Sequence, residues 1–317
     1  MSTFVLLTLT GLGLGALYFL IASGLALIFG LMDVLNFAHG AFLTVSAYAA
    51  WQTATAVGGV NGLLLALITG TLTGTVLAVV VERVLIRRLY GRPKEQILVT
   101  VGLSLTVPAL VQAYASADSR PFPVPGSLSG TVGVLGAQVP VTRLVLIAAA
   151  VLVLAGVRLF LSRTRYGLIV RAGVEDRAMV TALGIDVTRA FTLVFALGGA
   201  LAGLAGVLAG LYFGSISPHQ GTGLLIFAFV VVIIGGLESI TGVALAAVTV
   251  GVVQQYANYY VAGGFGDFAV VIVLAAVVLA RPAPGRRSVL HRLRELLPAQ
   301  RPAAAPSTSV PTAGGQA

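Results

Sequence analysis

"FVLLTLTGLGLGALYFLIASGLALIFG" (residues 4–30) runs from Phe4 to Gly30 without a charged residue. A helix rises about 1.5 Å per residue, so about 20 apolar residues cross the roughly 30 Å hydrocarbon core of a bilayer. This stretch is long enough to do so, and runs of the same kind recur at 62–81, 97–115, 142–160 and 191–212. Of the 317 residues, 58% are apolar and 9% charged, with a mean hydropathy of +1.02. That leaves too little polar surface to cover a soluble globule. Barrel strands would alternate apolar and polar positions over about ten residues, which these runs do not. The expected fold is all-α, a polytopic transmembrane helical bundle. The first run lacks the basic flank of a signal peptide and exceeds its apolar length, so it is expected to remain as a span.

Basic residues orient the bundle. Seventeen of the nineteen fall into three clusters: Arg83 to Lys94, Arg158 to Arg189, and Arg281 to Arg301. Basic loops stay cytoplasmic, so the number of spans between clusters must be even. Segments 97–115 and 142–160 separate the first two clusters and are joined by "ASADSRPFPVPGSLSGTVGVLGAQVP", whose Pro, Gly and Ser content fits an external loop. Four segments (191–212, 224–235, 242–258 and 267–280) separate the second from the third, with 224–235 short enough to be a broken helix. Three more (4–30, 41–57 and 62–81) precede the first, which puts the N-terminus outside and predicts eight or nine spans. The transmembrane domain covers 1–280, with a cytoplasmic loop at 162–190. Residues 281–317 form a basic cytoplasmic tail, expected to be disordered beyond about 298 for want of a periodic apolar face.

Glycines recur four apart inside the spans, as in Gly11 and Gly15, Gly70 and Gly74, or Gly199 and Gly203. Small residues at that spacing let backbones approach where lipid supplies no hydrophobic drive for association. Polar groups in the spans are few. "GLMDVLNFAHGAF" carries Asp33, Asn36 and His39, followed by Gly40, and steps of three could place the three on one helical face. Two readings stand: mutual bonding at a helix end, or an interrupted helix beside a translocation route. "GGLESITG" contributes Gly235, Gly236 and Glu238 to the same class of candidate helix breaks. Glu238 and Asp267 are each read first as capping the next helix, and His219 as a solvated loop residue.

Several activities are excluded. The only lysine, Lys94, sits in "RPKEQ", so no phosphate-binding loop of the Gly-Lys-Ser/Thr type exists and the chain cannot hydrolyse ATP alone. Three scattered histidines and no cysteine leave no metal cluster, no disulfide and no thiol nucleophile. "GFGD" (264–267) matches an aspartyl intramembrane protease pattern, but the second aspartate would have to be Asp33, which charge parity puts near the opposite face. No cofactor is expected. The formal charge of +9 follows the positive-inside pattern and points to anionic lipid, not nucleic acid.

"RYGLIVRAGVEDRAMVTALGID" (165–186) is the longest polar interruption. It reads as a short helix with Glu175 and Asp176 in its first turns, Ala178, Ala182 and Leu183 behind, and Gly184 as a stop before Ile185. Surface-lying helices pair basic residues with bulky apolar ones. This one mixes acids with small residues, which suits a groove on a partner protein. Together "GLGLGALYFLIASGLALIFGLMDVLNFAHGAF" (11–42), "RAGVEDRAMVTALGID" (171–186) and the stretch 197–247 resemble the H-type permease subunits of high-affinity branched-chain amino acid ABC transporters. Asn36 to Gly40 and Ala182 to Ile185 are the most specific matches.

The resemblance implies a bacterial inner-membrane importer in which Arg171 to Ile185 form the coupling helix. It also implies a second related permease, two ATP-binding cassette subunits and a periplasmic substrate-binding protein as partners. The Glu-Ala-Ala consensus of other importers is absent, since Asp176 and Arg177 follow Glu175, and Thr241 stands where proline is common in relatives. The family also serves systems for urea, short amides and other amino acids. An ion-coupled secondary transporter or channel is the alternative, opposed by the scarcity of ionisable residues within the spans.

Overall fold

The computed structural model describes residues 2–169, 187–237 and 239–280. Among them are nine α-helices: α1 (Ser2–Met32), α2 (His39–Val57), α3 (Gly59–Val84), α4 (Pro93–Ala115), α5 (Val141–Arg163), α6 (Val187–Phe213), α7 (Gln220–Gly235), α8 (Ile240–Tyr260) and α9 (Phe265–Ala280). Each apolar segment of the sequence is one of these helices, extended by a few residues at its ends. Six of them, α1, α3, α4, α5, α6 and α8, are long and apolar enough to cross a membrane. α7 and α9 are shorter apolar helices of 16 residues, and α2 has 19 residues diluted by Ser, Thr and Gln. The chain is a multi-pass helical membrane protein.

α1 lies at the centre, as a helix apolar on every side must. Leu17, Leu20, Ile21, Leu25 and Ile28 are all buried, and α1 packs on α5, α6, α7 and α8. The outward faces of α4, α5 and α9 carry Leu98, Leu105, Leu152 and Leu279. Such a surface would drive aggregation in water and is the natural boundary in hydrocarbon.

The glycine pairs do close helix interfaces. A Cβ on Gly74 would strike the carbonyl of Gly199, and one on Gly203 that of Gly70. In the same way Gly15 lies on Ala247 and Gly11 on Val252. Contact positions rise along one helix as they fall along the other, so α3 runs antiparallel to α6 and α1 to α8. The packing is reciprocal: α1 lies on α8 as α6 lies on α3, and α7 touches α1 as α2 touches α6. Two triplets, α1–α3 and α6–α8, therefore form the body of the molecule.

The 116–140 connection is more ordered than its composition suggests. β2 (Thr131–Val134) and β3 (Ala137–Pro140) form an antiparallel hairpin turned by Leu135 and Gly136, both at positive φ. β1 (Arg120–Pro121) pairs with β4 (Ser215–Ile216), the segment after α6. The connection is thereby tied to the end of α6.

Two helices that begin inside the bundle: a candidate functional site

α1 ends at Met32, Asp33 takes a φ of 53°, and 33–38 run without helix until α2 opens at His39. His39 is fully buried, its Nε2 3.1 Å from the carbonyl oxygen of Ile21. A Cβ on Gly24 would lie 2.9 Å from the imidazole Cε1. Gly24 and Ile21 precede Met32 by 8 and 11 residues, or roughly 12–16 Å along the helix axis. The chain thus folds back into the bundle before α2 starts, held on the way by Thr100 Oγ1 donating to the carbonyl of Leu35 at 3.3 Å.

α6 ends at Phe213 and α7 opens at Gln220, so a second break follows the second long helix of the core. The first turns of α2 and α7 pack on each other. A Cβ on Gly40 would lie 2.6 Å from the carbonyl oxygen of Gly221, and one on Gly221 would run into the carbonyl of Gly40 and into Thr44 Oγ1. Neither helix has a side-chain cap, whereas Ser239 Oγ accepts from Gly242 N at 3.0 Å to cap α8. The first N–H groups of an uncapped helix keep their partial positive charge.

Polar side chains near the start of α2 share that condition. Asn36 Nδ2 and Oδ1, His39 Nδ1, Thr44 Oγ1 and Ser46 Oγ are buried without a hydrogen-bond partner among the described residues. Burying such groups unpaired costs about 1–3 kcal/mol each, so a set of them marks a place where water, a ligand or a second conformation supplies the partners.

The structure corrects the single-face reading of Asp33, Asn36 and His39. The helix stops before Asp33, which is exposed, while Asn36 and His39 are buried on either side of the new helix start. Three-residue spacing has no meaning where the backbone is not helical. Gly40 supplies the close approach to α7; Gly235 closes α7 against Val243, and Gly236, at φ 93°, turns the chain away. Glu238 and the coupling residues Arg171, Glu175, Asp176, Ala178, Ala182, Leu183, Gly184 and Ile185 lie outside the described residues. Asp267 stands in the first turn of α9, where its charge meets the positive end of the helix, and accepts from Gln254 Nε2 at 2.8 Å. Gln254 Oε1 in turn accepts from Tyr18 OH at 2.8 Å, which ties α1, α8 and α9 together. His219 is exposed and bonds Gln112 at 3.0 Å.

One cluster escaped the sequence reading. Glu82, fully buried near the end of α3, accepts from Arg87 Nη2 at 3.2 Å, Tyr90 OH at 2.8 Å and Thr192 Oγ1 at 3.0 Å. Arg87 Nη2 also donates to Thr192 Oγ1 at 2.7 Å, so α3 is locked to α6. A cavity of about 540 Å³ opens beside it, lined by Arg83, Arg87, Tyr166 and Arg189. The available signal was a lone acid at the head of a basic cluster, where a carboxylate has reason to persist only if it is paired.

Residues 7–280 match the family model described as branched-chain amino acid transport system / permease component. The chain is 30% identical to the high-affinity branched-chain amino acid transport system permease protein BraD of Pseudomonas aeruginosa, over 86% of this chain and 92% of that one. It is 28% identical to the LivH permease protein of Escherichia coli K12 over the same shares. A probable LivH permease of Methanocaldococcus jannaschii is 26% identical over 82% of this chain and 86% of its own length. No solved structure matches the chain.

Proposed function

The chain belongs to the branched-chain amino acid transport system permease family, and from that premise we propose that it forms one half of the membrane pathway of a binding-protein-dependent ABC importer for branched-chain or related amino acids. The observation that carries the reading is the family match across 7–280, joined to two helices that begin inside the bundle at Gly40 and Gly221. Helix starts without side-chain caps, and polar side chains without partners among the described residues, suit a site where a polar solute passes through apolar surroundings.

In this reading all nine helices take part in the topology, with the three basic clusters on the cytoplasmic side of a bacterial inner membrane. Energy arrives from outside the chain. Moving an access equilibrium from 1:99 to 99:1 needs about 5.5 kcal/mol of differential binding, which two ATPase subunits, one of them docked on residues 171–185, would supply. A second related permease completes the pathway, and a periplasmic binding protein delivers the solute. Acids in the described residues do not favour ion coupling: Asp33 is exposed, while Glu82 and Asp267 are already bonded.

The test is ATP-dependent leucine uptake in vesicles. The complete complex is expected to accumulate leucine, and variants with Leu183→Asp or Gly184→Glu are expected to insert normally and lose uptake. Full uptake by those variants contradicts the coupling assignment.

A further inference from the structure

Two of the nineteen basic residues, Arg120 and Arg143, fall outside the three clusters, and charge parity puts both on the opposite side of the membrane. Arg143 lies against Tyr212, with its Nε buried and unpaired among the described residues. Its Nη1 donates to the carbonyl of Tyr212 at 2.8 Å and its guanidinium lies 3.5 Å from the centre of the Tyr212 ring. Arg120 is different. Its Nε and one terminal nitrogen donate to the carbonyl of Ala115 at 3.0 and 2.7 Å, and its guanidinium sits 5.0 Å from the centre of the Trp51 ring. A guanidinium has five N–H donors, so part of the fork stays open, and neither ion pair among the described residues involves Arg120.

That open fork borders a cavity of about 490 Å³ between the ends of α2 and α4, within the roughly 300–1,000 Å³ of small-molecule sites. Tyr48, Trp51, Gln52, Val111 and Tyr114 line it with Arg120. Tyr48 is 7% exposed, and its hydroxyl is buried with no partner among the described residues.

Resting on the transport reading above, we propose that this cavity is an outward-facing site for a free amino acid with an apolar side chain. The α-carboxylate pairs with Arg120, whose position is already fixed by Ala115 and Trp51. A guanidinium held in place in this way recognises a carboxylate through parallel N–H donors. The Gln52 side-chain oxygen accepts from the ammonium group, and Val111 with the rings of Trp51 and Tyr114 covers the aliphatic side chain.

Trp51 is the only tryptophan of the chain, so its fluorescence reports on this cavity alone. The full chain in phosphatidylcholine nanodiscs is titrated with L-leucine and, as a control lacking the carboxylate, with leucinamide. A saturable change with leucine and none with leucinamide is expected. Arg120→Gln is expected to weaken half-saturation about tenfold or more, the loss of a charge-assisted hydrogen bond. Gln52→Leu, which removes the acceptor for the ammonium group, is expected to weaken it by about twofold or more. No saturable response to leucine, or an equal response to leucinamide, overturns the site. So does a Trp51 response that follows a change to phosphatidylglycerol and not leucine, since that identifies a lipid headgroup. Leucine uptake by the complete complex is measured in parallel. A silent Trp51 in an importing complex removes the site and leaves the transport reading standing; a complex that imports no leucine removes the transport reading itself.

Discussion

Two groups of buried polar side chains lie in this bundle and are treated in opposite ways. At the end of α3, Glu82 is met by Arg87, Tyr90 and Thr192. At the start of α2, Asn36, His39, Thr44 and Ser46 keep atoms that meet nothing among the described residues. Packing is tight around both, since Tyr90 lies on Phe191 at 5.2 Å and Gly40 is pressed on Gly221. A satisfied network holds one arrangement, because every departure breaks bonds in a medium that offers no replacement. An unsatisfied set gains from departure, provided water or solute enters. The first is a joint between α3 and α6; the second is where the pathway is expected to open.

Substitutions can break or sharpen that contrast. The largest effect is expected from Glu82→Ala, which removes the carboxylate that Arg87, Tyr90 and Thr192 share. Removing one member of a buried ion pair costs about 3–5 kcal/mol, and the low end applies because the Arg87 side chain is 38% exposed. A drop in the thermal unfolding midpoint of the purified chain is the readout. Next is Gly221→Val, whose Cβ meets the backbone carbonyl of Gly40 and cannot be relieved by a side-chain rotation. Overpacking of this kind costs about 1–3 kcal/mol, and transport is expected to fall further than the unfolding midpoint suggests, because α2 and α7 are forced apart. Thr192→Val removes one donor from the satisfied network and is expected to cost about 1 kcal/mol in the same unfolding assay. Asn36→Leu is the mildest for stability. Its side-chain amide forms no hydrogen bond among the described residues, so the change is expected to stay within about 0.5 kcal/mol or to stabilise, while leucine uptake by the complex falls severalfold. Equal losses of stability at Asn36 and Glu82 would erase the distinction.

The sequence showed the helices plainly, since each is an apolar run with a glycine, proline or charged boundary, and it marked the glycine pairs that join α3 to α6 and α1 to α8. It also singled out Asn36, His39 and Gly40. Their arrangement was not legible: spacing of three implies a shared face only if the backbone is helical, and nothing local says that Asp33 to Ala38 return into the bundle. That return depends on Gly24 making room for His39, which is a contact between helices. Glu82 was passed over for a related reason. Within a basic cluster an acid looks like part of a solvated surface, and only tertiary packing puts Thr192 against it. The hairpin at Leu135 and Gly136 was hidden in a stretch whose Pro, Gly and Ser content reads as plain loop.

The most direct measurement uses the absence of cysteine from the chain. Thr44→Cys and Thr192→Cys are made separately, and each variant is reconstituted with its partner permease, ATPase subunits and binding protein. Reaction of the new thiol with a small membrane-impermeant reagent is then followed by mass. The account predicts that T44C reacts only when ATP and substrate-loaded binding protein are both present, and that T192C keeps one rate throughout. A T44C thiol that stays unreactive during turnover, or a T192C rate that rises with it, would contradict a pathway opening at the start of α2.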